Sequence, residues 1–208
     1  RIGIGCMRIT GLPDEKAIRE LIDGAMELGI NFFDHADIYA AGEAEAVFGN
    51  VLTPTLREQM VIQTKCAIRP GICYDFSKEH ILKSVDGSLK RLKTDYVDIL
   101  LLHRSDALME PEEVAEAFNQ LQQSGKVRNF GVSNHKSSQI RLLQKYISQP
   151  LVTDQLQFSL PNSSMIQSGM EVNMTTAGAI DRDDSILDFC RLNDITIQTW
   201  SPFQYGFF

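Results

Sequence analysis

The sequence predicts an α/β protein of the (β/α)8 TIM barrel class, and three observations support this prediction. Apolar or β-branched runs alternate with amphipathic helical stretches about every 30 residues. One run, Val97–Leu102, is almost continuously apolar, which is typical of a parallel sheet covered on both faces. Gly3 and Gly5 lack the third glycine of the G-x-G-x-x-G motif that marks an open nucleotide-binding sheet. The barrel is therefore favoured over the open doubly wound sheet.

Seven strands are predicted in chain order. They are Ile2–Cys6, Asn31–Asp34, Met60–Lys65, Tyr96–His103, Val127–Ser133, Val152–Phe158 and Ile195–Ser201. A barrel of this class has eight strands and about 250 residues, whereas this chain has 208. We therefore expect a single domain over residues 1–208, seen as an incomplete barrel that lacks its C-terminal part.

Amphipathic helices are predicted between the strands, and several have recognisable ends. Asp14–Leu28 carries its apolar residues on one stripe and stops at Gly29, while Ser77 can cap a helix that continues to Leu92. Further helices are predicted at Glu43–Leu52, Glu112–Ser124, Ser137–Tyr146 and Asp184–Leu192. Pro161–Asp183, rich in Asn, Ser, Thr and Gly, is predicted to be an irregular loop.

Composition and charge exclude several classes of function. The chain is 43% hydrophobic and 23% charged, so it can bury a globular core. Its formal net charge of −7 gives no electrostatic reason to bind nucleic acid or an anionic membrane. Its four cysteines form no C-x-x-C pair, which suits reduced thiols. We therefore expect a cytoplasmic protein without nucleic-acid or membrane partners, and no pattern indicates its oligomeric state.

Polar or aromatic side chains lie near the carboxyl ends of six predicted strands, where barrel active sites form. They are Asp34, Lys65, His103, Ser133, Asn134, Gln155 and Trp200. Tyr39 follows Asp34 by five residues, and we expect it to lean over the barrel mouth. A phenol is a poor acid at neutral pH, but an adjacent ammonium such as Lys65 favours the phenolate. Taken singly, each residue also fits a surface aromatic or a structural ion pair.

Five motifs resemble the aldo-keto reductase family in order and spacing. They are Asn31–Tyr39, Gln63–Lys65, Leu101–Arg104, Gly125–Asn134 and Thr199–Pro202. The resemblance implies a (β/α)8 barrel that reversibly reduces small carbonyl compounds with a nicotinamide dinucleotide. It implies a catalytic tetrad of Asp34, Tyr39, Lys65 and His103. In that tetrad Tyr39 would protonate the carbonyl oxygen, Lys65 and Asp34 would tune Tyr39, and His103 would orient the carbonyl.

The same resemblance implies five cofactor contacts. Ser133, Asn134 and Gln155 would hydrogen-bond the nicotinamide carboxamide. Trp200 would pack on the nicotinamide ring, and Ser201 would approach the pyrophosphate. The family usually uses NADP(H), but its 2′-phosphate contacts follow the seventh and eighth strands. The sequence therefore leaves both NADP(H) and NAD(H) open.

Three positions depart from residues common in the family: His35, His135 and Asp154. These departures indicate a subgroup that resembles bacterial oxidoreductases. Phe203 and Tyr205, near the expected mouth, predict a partly apolar pocket that fits many aldehydes and ketones.

Two other functions stay open at this point. A metal-dependent hydrolase could draw ligands from His35, His103, His135, Asp34 and Cys66, although no H-x-H or H-E-x-x-H spacing is present. A redox-sensing, cofactor-binding subunit of a larger assembly would carry the same tetrad.

Overall fold

The computed structural model describes residues 2–204, and its parallel sheet follows the chain strand by strand. The strands are β1 (Ile4–Gly5), β2 (Phe32–Asp34), β3 (Val61–Cys66), β4 (Ile68–Arg69), β5 (Cys73–Tyr74), β6 (Val97–Leu102), β7 (Val127–Ser133), β8 (Leu151–Gln157) and β9 (Thr196–Trp200). β4 and β5 form a small antiparallel hairpin, and the other strands form the main sheet in the order β1-β2-β3-β6-β7-β8-β9. Every pairing in the main sheet is parallel, as predicted.

The main sheet curves around a polar interior. Gln63 on β3 and Gln198 on β9 exchange two side-chain hydrogen bonds of 2.9 and 3.0 Å, although the two strands are four places apart in the sheet. A flat sheet would separate them by roughly 19 Å, at about 4.8 Å per strand. Gln155 on β8 also donates to Gln198, at 3.2 Å. The sheet is therefore the wall of a barrel, and the predicted fold class is confirmed.

Eight α-helices lie within the described residues. They are α1 (Glu15–Glu27), α2 (Glu43–Val51), α3 (Pro54–Gln59), α4 (Lys78–Leu92), α5 (Pro111–Gln123), α6 (Ser137–Tyr146), α7 (Ser164–Met170) and α8 (Ile186–Leu192). The predicted ends of α1 and α4 are confirmed, because Asp14 accepts from the N–H of Ala17 and Ser77 accepts from that of His80. Gly29, just beyond α1, has a φ of 75°, a left-handed conformation that favours glycine.

Other element ends differ from the prediction. The first strand covers only Ile4–Gly5, because it pairs with β2 over those two residues, and a 3-10 helix (Cys6–Gly11) follows at once. α7 and a 3-10 turn (Ala177–Ala179) occupy part of the segment predicted as an irregular loop, Pro161–Asp183. The last helix begins at Ile186 rather than Asp184, since Asp184 and Ser185 have left-handed backbones.

Among residues 2–204, no helix has the length and apolar character that a bilayer crossing requires.

Candidate active site

Lys65 is the centre of a polar cluster at the carboxyl end of β3. Its Nζ donates to Asp34 Oδ2 at 2.7 Å, to the carbonyl oxygen of His35 at 2.8 Å and to Tyr39 Oη at 3.0 Å. These three acceptors use the three N–H groups of an ammonium. The side chain of Lys65 is 0% exposed, so its charge is stabilised by these contacts rather than by water.

Gln63, two residues earlier on β3, holds the carboxylate of Asp34 from the other side. Its Nε2 donates to Asp34 Oδ1 at 2.6 Å, which leaves Oδ2 for Lys65. Period-two alternation sends Gln63 and Lys65 to the same face of the strand, toward the barrel interior. Gln63 was not predicted as a site residue, although this alternation was a signal that could have identified it.

Tyr39 and His103 meet above Lys65. Their ring centroids are 5.9 Å apart in an edge-on arrangement. Burial, together with the nearby Lys65 ammonium, lowers the pKa of His103 to about 3, so the imidazole is neutral at pH 7. His103 Nδ1 is buried without a hydrogen-bond partner among the described residues.

The pKa of Tyr39 reflects two opposing effects. Burial raises the pKa of Tyr39, and the nearby Lys65 ammonium lowers it by less, so the net shift is upward. Lys65 thus favours the phenolate, as the sequence predicted, but desolvation, which the sequence does not show, outweighs that effect. Burial also lowers the pKa of Lys65, but Asp34 and Tyr39 raise it by more, so Lys65 stays an ammonium.

Asn134 joins the ends of three strands beside this cluster. Its Nδ2 donates to Ser133 Oγ at 2.8 Å and to the carbonyl oxygen of His103 at 3.3 Å. Its Oδ1 accepts from Trp200 Nε1 at 3.0 Å. The backbone of Asn134 is left-handed, with a φ of 59°, a conformation that Asn tolerates better than most residues. Asn134 thereby fixes the edge of the Trp200 ring.

The other residues predicted to bind a cofactor have distinct positions. Ser133 is buried, and its hydroxyl donates to the carbonyl oxygen of Gln155 at 2.9 Å, so it supports Asn134 from behind. The Gln155 side chain points into the interior toward Gln198. Ser201 is half-buried and begins a turn in which its carbonyl oxygen accepts from the N–H of Gln204. Phe203 is exposed, and Tyr205 lies outside the described residues.

The donor set of this edge fits a planar aromatic amide. The half-buried Trp200 offers a ring, and the Gln155 carboxamide can both donate and accept hydrogen bonds. Asn134 offers Oδ1 as a further acceptor, because both of its N–H groups are already bonded within the protein. A nicotinamide has the matching combination of a flat ring and one carboxamide. The residues present therefore fit the cofactor that the sequence implied.

The histidines do not converge as metal ligands do. His35 packs edge-on against Phe48, with 4.6 Å between ring centroids, and His135 stacks on Phe76 at 5.9 Å. Within residues 2–204, no three His, Cys, Asp or Glu side chains form a group that could hold a metal ion. The geometry does not favour the metal-dependent alternative.

A curved parallel β/α wall with a Lys–Tyr–Asp–His cluster at its carboxyl edge is the architecture of a barrel enzyme. The sequence matches the family model of the Aldo/keto reductase family over residues 1–208. The chain belongs to the aldo/keto reductase family.

Relatives of this chain agree with that assignment. It is 44% identical over 197 residues to the uncharacterized oxidoreductase YcsN of Bacillus subtilis (strain 168), covering 89% of this chain and 60% of YcsN. It is 36% identical over 195 residues to a 6-dehydroglucose reductase of Novosphingobium aromaticivorans, covering 90% of this chain and 59% of that protein. The chain thus spans about three fifths of the length of these two relatives.

A solved structure with the same fold is the holo form of aldo-keto reductase AKR11C1 from Bacillus halodurans. The TM-score is 0.76 at 28% sequence identity, and the match covers 99% of this chain and 63% of that one.

Proposed function

We propose that this chain is the larger part of a single barrel domain that reduces aldehydes or ketones to alcohols with NADPH or NADH. The observation that carries the proposal is the buried contact of 3.0 Å between Lys65 Nζ and Tyr39 Oη, with the His103 ring beside it. A phenol held by a permanent cation next to a neutral imidazole is suited to proton transfer at a carbonyl oxygen.

The roles of the four residues follow from their charges. Tyr39 holds its proton at neutral pH and releases it only when the carbonyl oxygen gains the basicity of an alkoxide. Lys65 stabilises the phenolate that remains, and Asp34 keeps Lys65 charged and oriented. Neutral His103 can donate one hydrogen bond to the carbonyl oxygen and so orient the substrate.

A reduced nicotinamide, when bound, supplies the hydride for this chemistry. Asn134 and Gln155 would hydrogen-bond its carboxamide, and Ser133 would hold Asn134 in place. Trp200 would pack against the ring, and Ser201 and the backbone after it would approach the pyrophosphate. NADP(H) is our first expectation for the cofactor, and comparing NADPH with NADH tests it directly.

Tyr39→Phe, made in the full-length protein, tests the proposed function. We expect kcat for a panel of aldehydes to fall by about 10²-fold or more, the usual scale of general acid catalysis. Cofactor binding, measured by quenching of NADPH fluorescence, should stay nearly unchanged, because the phenol makes none of the proposed cofactor contacts. Wild-type turnover that Tyr39→Phe leaves intact would contradict the assignment.

The same experiment distinguishes the alternative of a redox-sensing subunit. That alternative predicts tight NADPH binding with very slow turnover over the whole panel. We also propose a cytosolic protein with small carbonyl compounds as its partners, supported by four unpaired cysteines, of which Cys6, Cys66 and Cys190 are buried.

A further inference from the structure

An ion pair between Glu45 and Arg91 lies beside the turn that carries Tyr39, and the proposed chemistry does not use it. Glu45 in the first turn of α2 is 0% exposed. Its Oε2 accepts from Arg91 Nε at 2.8 Å and lies 2.7 Å from Arg91 Nη2. Its Oε1 accepts from the hydroxyl of Thr64 at 2.5 Å. Arg91 belongs to the last turn of α4, so the pair connects two neighbouring helices with β3.

The side chain of Arg91 packs directly on the backbone of the Tyr39 turn. A Cβ built at Gly42 would lie 2.9 Å from Arg91 Cδ and Nε, and one at Gly87 would lie 3.0 Å from Arg91 Nη1. Gly42 also has a φ of +94°, which side chains rarely adopt. Glycine at these two positions leaves the space that the Arg91 side chain occupies.

The turn itself has an unfavourable backbone. Ala40 and Ala41, which directly follow Tyr39, have φ values of 49° and 55°, and Gly42 continues the left-handed run. Alanine has no side-chain hydrogen bond to compensate for this conformation, so the surrounding structure must stabilise it. The Arg91–Glu45 pair packs against the C-terminal side of this turn and stabilises it.

A second acidic side chain, Asp37, lies on the N-terminal side of Tyr39. Asp37 donates its N–H to the carbonyl oxygen of Lys65 at 3.0 Å, and its Oδ1 is buried without a hydrogen-bond partner in the described part of the chain. Burial and the nearby Glu45 together raise the pKa of Asp37 to about 7, against the lowering effects of the Arg91 charge and of Ser84 on α4.

We propose that Arg91 is a positioning residue for the reaction, because its guanidinium holds Glu45 and its side chain packs on Gly42, and so it stabilises the left-handed turn that aims the phenol of Tyr39 at Lys65. Glu45 lies six residues after Tyr39. The kinetic test of this inference rests on the proposed reductase function.

The test compares Arg91→Gln with Arg57→Gln in the full-length protein. Arg57 is a matched control, because it forms a buried pair with Asp98 at 2.8 Å. It also bonds the carbonyl oxygens of Met60 and Tyr96, before β3 and β6, at the opposite end of the barrel. Both substitutions remove one guanidinium that is paired with a largely buried carboxylate, and both should lower the melting temperature.

We expect Arg91→Gln to lower kcat at least tenfold with KM and NADPH affinity within about twofold, and Arg57→Gln to leave kcat within about twofold. Arg91→Lys, which keeps the charge, should restore part of kcat. Equal loss of kcat in both glutamine variants, or unchanged kcat in Arg91→Gln, would overturn the inference.

Hydrogen–deuterium exchange gives a readout that does not depend on activity. Exchange over residues 37–45 should accelerate in Arg91→Gln and stay at the wild-type rate in Arg57→Gln. If Arg91→Gln exchanges faster over these residues but the wild-type protein reduces no carbonyl, the proposed function is refuted while the positioning role of Arg91 is supported. Unchanged exchange over 37–45 would refute the positioning role in an active enzyme.

Discussion

At the scale of single residues, the site combines the Lys65–Asp34 ion pair with two neutral rings, those of Tyr39 and His103. Lys65 is an ammonium with three protein acceptors and no exposed surface. His103 is neutral because burial, assisted by Lys65, lowers its pKa to about 3. In the proposed function, Tyr39 is the group that exchanges a proton with the substrate oxygen.

Lys65→Met should change the pH dependence of the reverse reaction as well as its rate. In the proposed function, alcohol oxidation needs the phenolate of Tyr39, so its rate should rise as pH passes through the pKa of that phenol. Lys65 lowers this pKa against the larger effect of burial, so its removal should move the rise to higher pH. Measured kcat–pH profiles in the oxidative direction test this; a profile scaled down without a shift would leave Lys65 only a structural role.

Asp154 is a buried acid on β8, the strand beside the end of β7 where Asn134 lies. Its side chain is 0% exposed, and neither carboxylate oxygen has a hydrogen-bond partner among the described residues. Burial, opposed only in part by the backbone N–H groups of His135 and Asn134, raises its pKa to about 7. The folded protein therefore holds a proton between about pH 4 and pH 7 that the unfolded chain has lost, so the free energy of unfolding falls across this range and the loss is complete above pH 7.

Asp154→Asn should accordingly raise the free energy of unfolding above pH 7, by on the order of a few kcal/mol. Below pH 4 the effect should be small, because Asp154 is then protonated in both states. Urea titrations of wild type and variant at pH 5 and pH 8 measure the difference. If the free energy of unfolding depends on pH in the same way in both proteins, Asp154 is not the source of this pH dependence.

At the scale of elements, α2 and α4 cross at a point that admits only glycine. A Cβ at Gly49 of α2 would lie 2.2 Å from the carbonyl oxygen of Arg91 and 2.8 Å from the carbonyl carbon of Leu92. Both contacts are with backbone, which cannot rotate away. This close approach brings Arg91 within reach of Glu45.

Gly49→Ala should therefore destabilise the protein by about 1–3 kcal/mol, the usual cost of overpacking. Gly24→Ala is the control, because Gly24 lies within α1 with nothing near its Cβ position and should gain about 0.5–1 kcal/mol in helix stability. Thermal unfolding of Gly49→Ala and Gly24→Ala, each compared with wild type, tests these two predictions. A stable Gly49→Ala variant would mean that the two helices can separate without loss.

The sequence was informative about elements wherever local chemistry decides them. β7 and α6 have the predicted bounds, and Ser77 caps α4, because apolar periodicity and capping side chains are local signals. The helix α3 was missed even though Thr53 caps it and Pro54 begins it, since it is only six residues long. The β4–β5 hairpin was also missed, because each strand has only two residues.

The site was predictable only in part, for a related reason. Side chains at strand ends indicated the cluster around Lys65, because parallel strands bring their carboxyl ends to one edge. The contacts of Gln63 with Gln198 and of Glu45 with Arg91 depend on sheet curvature and helix crossing. No local pattern encodes either geometry. The net shift of the Tyr39 pKa also required the depth of burial.

At the scale of the whole molecule, the Gln63–Gln198 contact joins positions 135 residues apart. A ribosome adds Gln63 long before Gln198, so Gln63 lacks this partner in a nascent chain until β9 has been made. The hydrogen-bonded amides below Lys65 can therefore assemble only after translation has passed the ninth strand. A nascent chain arrested before that strand would already contain Asp34, Tyr39, Lys65 and His103 but not this supporting contact.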